Sequence, residues 1–234
     1  MRHAMCIGSA IAILAMASLS AVAQGASPSY EDEQNDNPRA NVNVSTPIVI
    51  PLNPTAQAVH LGFGFGVGGG YNFTRRHAAI GEFMWNNLMP TNDAQAKLRA
   101  AFDNPNVNAS AQVMALTGNY RFELRGRALG TYFIGGAGLY YRHSTLSQTV
   151  TTGSNISCTP TWVWWGFTCT SGTVDSNQTI RSWSSSSGGF NGGVGFTVRV
   201  GEAPYRFYTE ARYHYAPSPR INTQLINISF GFRY

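Results

Sequence analysis

Two acidic residues and a set of arginines fall on segments where their side chains could meet inside a folded core. Glu82 and Glu210 are the acids, and the candidate partners are Arg121, Arg142, Arg199, Arg212 and Arg233. A buried, unpaired carboxylate is costly, so each glutamate is expected to pair with an arginine or to accept hydrogen bonds. Such a network could act as a structural plug of salt bridges, which we favour, or as an ion gate or proton-linked site.

Two cysteines lie close together in a long polar segment. Cys158 and Cys169 would form a disulfide if the protein is exported to an oxidising compartment. The short loop that they would close is rich in large aromatic side chains, namely Trp162, Trp164, Trp165 and Phe167. These aromatics are candidates either for a rim or lipid-interface cluster or for a ligand-contacting tip. Two cysteines without a nearby histidine fall short of the usual four zinc ligands, so no metal and no cofactor is predicted.

A glycine-rich segment imitates a nucleotide-binding fingerprint. Residues Gly64 to Gly69 match the pattern G-x-G-x-x-G. That pattern binds phosphate only when it follows a strand and opens a helix. Here a strand runs through the glycines and a turn follows, so we predict no nucleotide site.

The strands that must position these residues are indicated by apolar residues that alternate with small or polar ones, with a period of two. At the end of the chain, Ile226, Ile228, Phe230, Phe232 and Tyr234 alternate with small or polar residues. Successive side chains of a strand point to opposite faces, so one face of this segment is apolar. The same pattern predicts eight strands: 42–52, 59–73, 78–88, 112–123, 131–143, 189–200, 205–215 and 223–234.

The connections between these strands alternate between short and long. Tight turns are predicted near residues 74–76, 125–127 and 201–203, and long loops at 89–110 and 146–187. Short turns at one end and long loops at the other are typical of a transmembrane barrel. The segment Thr91 to Phe102 has a polar start followed by helix formers, so it predicts a short helix within one long loop.

The orientation of the two faces decides the class of barrel. One face carries glycines together with Arg121, Arg199, Glu210 and Arg212, while the other is apolar. An eight-stranded lumen has room only for side chains, which suits the glycine-rich face. The apolar face must then point outward, where it needs lipid because it would aggregate in water.

With these features, the region from residue 41 to 234 resembles the small OmpA-like and OmpX-like outer-membrane β-barrels. The resemblance rests on the Gly70-Tyr71-Asn72-Phe73 segment, on Tyr208 to Tyr213, and on the aromatic C-terminus. It implies an all-β fold: an eight-stranded antiparallel up-and-down transmembrane β-barrel with a short helix in one extracellular loop. It also implies that Phe230, Phe232 and Tyr234 form the insertion signal for the barrel-assembly machinery, and that outer-membrane lipid and lipopolysaccharide surround the barrel.

The N-terminal segments predict export. A basic start, an apolar run from Ile7 to Leu19 and the Ala21-Val22-Ala23 site indicate a signal peptide over residues 1–23. Residues 24–40 contain acidic side chains and prolines but few large apolar ones, so they predict a flexible periplasmic tail. The resemblance implies that the barrel, residues 41–234, lies in the outer membrane of a Gram-negative bacterium.

Composition narrows the function. Charged residues make up 12% of the chain, about half the usual ~25%, which disfavours a cytosolic enzyme. The arginines are scattered, without the clustering of a nucleic-acid groove. The lipid A deacylases are barrels with a His-x-Ser site, but His143 and Ser144 are adjacent and so point to opposite faces. We therefore predict a non-enzymatic structural or surface-interacting barrel; a narrow porin-like channel, a lipid A-modifying enzyme and a soluble ligand-binding barrel are the alternatives.

Overall fold

The computed structural model describes residues 39–126, 128–152, 157–160, 167–170, 174–201, 205–219 and 221–234. The predicted signal peptide and most of the predicted tail lie outside these residues, as do Trp162, Trp164 and Trp165. The strands are β1 (Ala40–Pro51), β2 (Val59–Asn72), β3 (His77–Pro90), β4 (Val107–Arg125), β5 (Leu129–Thr152), β6 (Ser157–Pro160), β7 (Phe167–Thr170), β8 (Val174–Arg199), β9 (Arg206–Ala216) and β10 (Thr223–Arg233). One α-helix, α1 (Asn92–Ala101), follows β3, and a 3-10 turn spans Thr55–Gln57.

Eight of these strands close into one ring, in the order β1-β10-β9-β8-β5-β4-β3-β2. Every neighbouring pair is antiparallel, and the ring closes where β1 pairs with β10, with Ile48 opposite Ile228. Closure removes the unpaired strand edges that an open sheet would expose. The prediction of an eight-stranded antiparallel barrel is confirmed.

Period-two alternation explains which side chains line the lumen. Along β10, Phe230 and Phe232 are exposed on the outside, whereas Ser229 and Arg233 are buried inside. The exposed apolar side chains continue around the ring on the other strands, including Val44, Ile48, Phe63, Phe65, Leu116, Phe133, Leu139, Phe196 and Val198. An apolar outer band is the arrangement that a lipid environment requires.

The barrel has two different ends. The turn end carries the short β2–β3, β4–β5 and β8–β9 connections together with the start of β1 and the end of β10. The loop end carries α1 and the long connections. Gly201, at the β8–β9 turn, has a φ of +60°, a conformation that favours glycine over other residues.

The longest predicted loop is shorter than expected, because β5 and β8 extend into it. β5 continues to Thr152 and β8 begins at Val174, and the two remain paired from Leu129 opposite Val198 to Thr152 opposite Val174. We call residues 147–152 and 174–187 the hairpin arm. The sequence of the arm is rich in Ser, Thr, Asn and Gln, so it has no apolar alternation from which strands could be predicted. Threonine nevertheless favours strands, and cross-strand pairs stabilise them.

Helix α1 is fixed to the loop end of β4. The Thr91 hydroxyl caps the helix by accepting a hydrogen bond from the Ala94 amide at 3.1 Å. Gln95 donates to the Val107 carbonyl at 2.7 Å, and Arg99 donates to the same carbonyl at 3.3 Å. Among the described residues, no helix is both long and apolar enough to cross a membrane.

Candidate functional site

The centre of the lumen contains an ion-pair cluster that we call the central cluster: Glu82, Glu210 and Arg212. Arg212 Nη1 lies 2.5 Å from Glu82 Oε2, and its Nε lies 2.7 Å from Glu210 Oε1. Arg212 and Glu210 share one face of β9 because they are two residues apart. Glu82 comes from β3, which is four positions from β9 around the eight-stranded ring. The pair Glu82–Arg212 therefore spans the barrel.

Amide side chains donate further hydrogen bonds to the Glu82 carboxylate. Asn43 donates to Glu82 Oε1 at 2.9 Å, and Asn119 donates to Oε2 at 2.6 Å. Asn119 in turn accepts a hydrogen bond from Asn191 at 2.9 Å. Hydrogen bonds to a charged acceptor are shorter and stronger than those between neutral groups, so this shell offsets part of the cost of burying the carboxylate.

A second ion-pair cluster lies nearer the turn end, and we call it the turn-end cluster: Glu123, Arg121, Arg125 and Arg233. Glu123 is 1% exposed; it contacts Arg233 Nη2, lies 3.2 Å from Arg125 Nη2 and 3.7 Å from Arg121 Nε. Arg233 comes from β10, which lies across the ring from β4.

The expectation that Glu82 and Glu210 are the acids of the lumen was incomplete, because the structure adds Glu123. The signal was present in the sequence. Glu123 is two residues from Arg121 on β4 and therefore shares its face, but it stood at the end of the predicted strand.

Tyr132 connects the two clusters. Its hydroxyl donates to Glu210 Oε2 at 3.0 Å, while its ring lies 5.0 Å from the Arg233 guanidinium and 6.0 Å from that of Arg121. This ring needs a glycine opposite it, because a Cβ on Gly195 would overlap the ring. The pairing of Tyr132 with Gly195 thus explains one of the inward glycines through close approach.

Apolar side chains fill the half of the lumen nearer the loop end. This apolar cluster contains Val49, Val59, Leu88, Val113, Ala115, Tyr140, Ala216 and Leu225. Tyr140 is 1% exposed and bonds to His214 Nδ1 at 2.9 Å. Sequence reasoning missed this cluster because apolar residues occur on both faces of the strands there; Val49 stands between Ile48 and Ile50.

Two small cavities lie between these clusters. A cavity of about 30 Å³ is lined by polar residues that include Glu82, Glu210, His214 and Asn227, and another of about 10 Å³ lies between Glu82, Arg121 and Arg233. Such volumes hold one or two water molecules, whereas small-molecule pockets measure about 300–1,000 Å³. Among the described residues, no group of three or more His, Cys, Asp or Glu side chains could hold a metal ion.

Two of the predicted arginines, Arg142 and Arg199, lie outside the central and turn-end clusters. Arg142 is near the loop end, where it donates to the hydroxyls of Thr223 at 3.1 Å and Ser187 at 3.1 Å. Arg199 is half-buried at the turn end of β8. The structure thus brings Glu82, Arg121, Glu210, Arg212 and Arg233 together in the two clusters and places Arg142 apart from them.

The other predicted residues fall outside the lumen. Phe230, Phe232 and Tyr234 are 41%, 57% and 44% exposed on the outer face. Cys158 and Cys169 are directly opposite each other in the β6–β7 pair, which also contains Phe167. His143 Nε2 lies 3.0 Å from the Thr145 hydroxyl, so the hydrogen bond of this ring nitrogen is to Thr145 rather than to Ser144.

Comparisons with known proteins agree with this architecture. A family model described as Outer membrane protein beta-barrel domain matches residues 10–234. A major outer membrane protein from Thermus thermophilus has a similar fold, with 8% identity and a TM-score of 0.53 over 83% of this chain and 98% of that chain. Neisserial surface protein A is matched with 12% identity and a TM-score of 0.49 over 84% and 96% of the two chains. Ail, the attachment invasion locus protein of Yersinia pestis, is matched with 14% identity and a TM-score of 0.41 over 83% and 96% of the two chains. No curated protein matches the sequence.

Proposed function

The chain belongs to the outer membrane protein beta-barrel family, and on that premise we propose that it is a non-enzymatic barrel with a closed lumen and a structural or surface-interaction role. In this family of structures the short turns face the periplasm and the long loops face outward. The turn end is therefore periplasmic, and the hairpin arm and α1 lie outside the cell.

One observation carries the proposal of a closed lumen: ion pairs join strands on opposite sides of the ring. Glu82 meets Arg212 and Glu123 meets Arg233, and both pairs cross the barrel. A permeating ion would have to displace several buried, charge-assisted hydrogen bonds and then pass the apolar cluster. Both steps are costly, which disfavours the alternative of a narrow channel.

The hairpin arm supports the surface-interaction role. β9 pairs with β8 from Phe190 onward, so residues 174–189 of β8 have no partner strand among the described residues on that side. The described side chains of the arm are mostly polar and exposed, and they include the apolar residues Val150, Ile180 and Trp183, the last of which is 53% exposed. The Arg181 guanidinium lies 5.0 Å from the Trp183 ring. An open strand edge is suited to pairing with an extended peptide of a partner protein.

The exposed side chains of the outer surface also suggest partners in the cell envelope. The exposed aromatics Phe230, Phe232 and Tyr234 would be bound by the barrel-assembly machinery during insertion. Outer-membrane lipid and lipopolysaccharide would contact the apolar band, with Arg181 and Trp183 near the outer interface. The loop between Cys158 and Cys169, with Trp162, Trp164, Trp165 and Phe167, is the proposed contact tip of the arm.

A shortened arm tests the surface-interaction role. Residues 147–180 are replaced with an Asn-Gly turn, which favours a tight hairpin and keeps Leu146 opposite Arg181. Pull-downs of extracellular proteins are then compared between the full-length protein and this variant, with folding checked by heat-dependent gel mobility. The proposal expects partners that the full-length barrel retains and the shortened barrel loses. Identical capture by both proteins would contradict it.

A further inference from the structure

The outer surface of the barrel has a concave groove in a position where lipid would otherwise meet a convex band. The groove lies across β2, β3, β4 and β5, has a volume of about 660 Å³ and is lined by Tyr71, Ala79, Gly81, Gly118, Tyr120 and Gly135. We call it the lipid-side groove. It is distinct from the lumen, since these residues point outward.

The glycines of this groove are not required by the barrel itself. A Cβ on Gly118 would meet nothing within 4 Å, and one on Gly81 or Gly135 would come no closer than 3.8 or 3.6 Å to its nearest neighbour. Inward glycines differ, because a Cβ on Gly195 would overlap Tyr132. Glycine weakens a strand, and in this position it often marks the close approach of a ligand or another backbone.

The walls of the groove are aromatic and held in place. The Tyr71 ring packs against Phe73 at 5.7 Å between centroids, and the Tyr120 ring packs against His77 at 5.9 Å. Tyr71 and Tyr120 both pair with Ala79, so their rings stand on either side of a small residue. The space between them is a slot for a narrow apolar chain, and the projecting rings oppose a flat contact with a second barrel.

Basic side chains lie at the turn end of this slot. Arg76 and His77 are consecutive in the β2–β3 turn, and Arg76 is exposed. Glu123, at the same end of the barrel, is buried in the lumen and does not face the slot. Gly81 is four residues along β3 from His77, about 13 Å at ~3.3 Å per residue. An apolar slot that ends beside the exposed guanidinium of Arg76 matches an anionic phospholipid.

We propose that the lipid-side groove binds a phosphatidylglycerol-type phospholipid of the periplasmic leaflet. One acyl chain passes over Ala79, between the two tyrosine rings, and lies on Gly81 and Gly118. The phosphate lies near Arg76 and His77. This site adds a lipid partner at the turn end, and it does not depend on the closed lumen or on the hairpin arm.

Native mass spectrometry of the full-length, detergent-extracted protein tests the site, with added phosphatidylglycerol or phosphatidylcholine of the same acyl chains. Gly118→Leu fills the groove, and Gly81→Leu is an independent second variant. The matched control is Gly188→Leu, an outward glycine near the loop end where a Cβ also meets nothing within 4 Å. Arg76→Gln tests the headgroup, with Lys97→Gln on α1 as its control. Heat-dependent gel mobility reports folding of each variant.

We expect the wild type to retain a phosphatidylglycerol adduct in preference to phosphatidylcholine. Gly118→Leu and Gly81→Leu should lower the bound fraction roughly tenfold, equivalent to about two methylene groups of lost burial, and Gly188→Leu should leave it unchanged. Arg76→Gln should remove the preference for the anionic headgroup. Equal retention by Gly118→Leu and Gly188→Leu, equal binding of the two lipids by the wild type, or a protein dimer in place of the lipid adduct would each overturn the proposal.

Discussion

Glu82 and Arg212 lie on strands on opposite sides of the barrel, and their side chains meet 2.5 Å apart in the lumen. The two residues are 130 positions apart in the sequence. Their contact links the two walls, and under the proposed function it also obstructs the lumen. The consequences can be measured in unfolding and in conductance.

Removing Arg212 should destabilise the barrel strongly. Arg212→Met leaves Glu82 and Glu210 buried without their cation, and breaking a buried pair in this way costs about 3–5 kcal/mol. The free energy of unfolding in urea, measured in lipid vesicles, reports the loss. Lys97→Met on the exposed face of α1 is the control and should change it by less than about 0.5 kcal/mol. Similar values for the two variants would show that the central cluster does not stabilise the fold.

A charge on the outer face of β10 should distinguish lipid from water. Phe230 is 41% exposed on the apolar band, and Phe230→Arg should cost about 2–4 kcal/mol if that side chain contacts hydrocarbon. Phe102→Arg is the matched control, because Phe102 is 47% exposed just after α1, outside the band. Unfolding in lipid vesicles compares the two variants. Equal tolerance of both changes would contradict a lipid-facing Phe230.

The two loop cysteines should be joined in the exported protein. Cys158 is opposite Cys169 in an antiparallel pair, where Cα atoms are about 4.5–5.5 Å apart, within the range that a disulfide requires. The bond should order the loop, with a contribution of roughly 2–3 kcal/mol. Mass spectrometry after alkylation should find both thiols protected until a reductant is added. Alkylation of both thiols without a reductant would exclude the bond.

The protein isolated from outer membranes should begin at Gln24. The small residues Ala21 and Ala23 fit signal peptidase, so cleavage should follow Ala23. The intact mass or N-terminal sequencing determines the first residue. Retention of Met1 and the apolar run in the membrane-inserted protein would refute the prediction.

The sequence predicts the ring well because period-two alternation is a local signal. Phe230, Phe232 and their small neighbours assign the faces of β10 without knowledge of any other strand. The inward glycines can be explained only once the fold is known. Gly195, for example, leaves space for the ring of Tyr132, which lies opposite it on a neighbouring strand.

The limits of the sequence concern long-range partners and polar strands. Glu123 lies at a strand end, and its partner Arg233 lies across the lumen, so no spacing along the chain connects them. Val49 has apolar neighbours on both sides, which hides the face that it occupies. The hairpin arm lacks apolar alternation altogether, and its pairing depends on register with the barrel strands below it.

Ion conductance across a planar lipid bilayer tests the closed lumen most directly. The wild-type protein is inserted from detergent, and protease protection of the barrel verifies insertion. The proposal predicts no unitary current above that of the bare bilayer, because the central, turn-end and apolar clusters occupy the lumen. Reproducible stepwise currents from the folded wild-type barrel would contradict it.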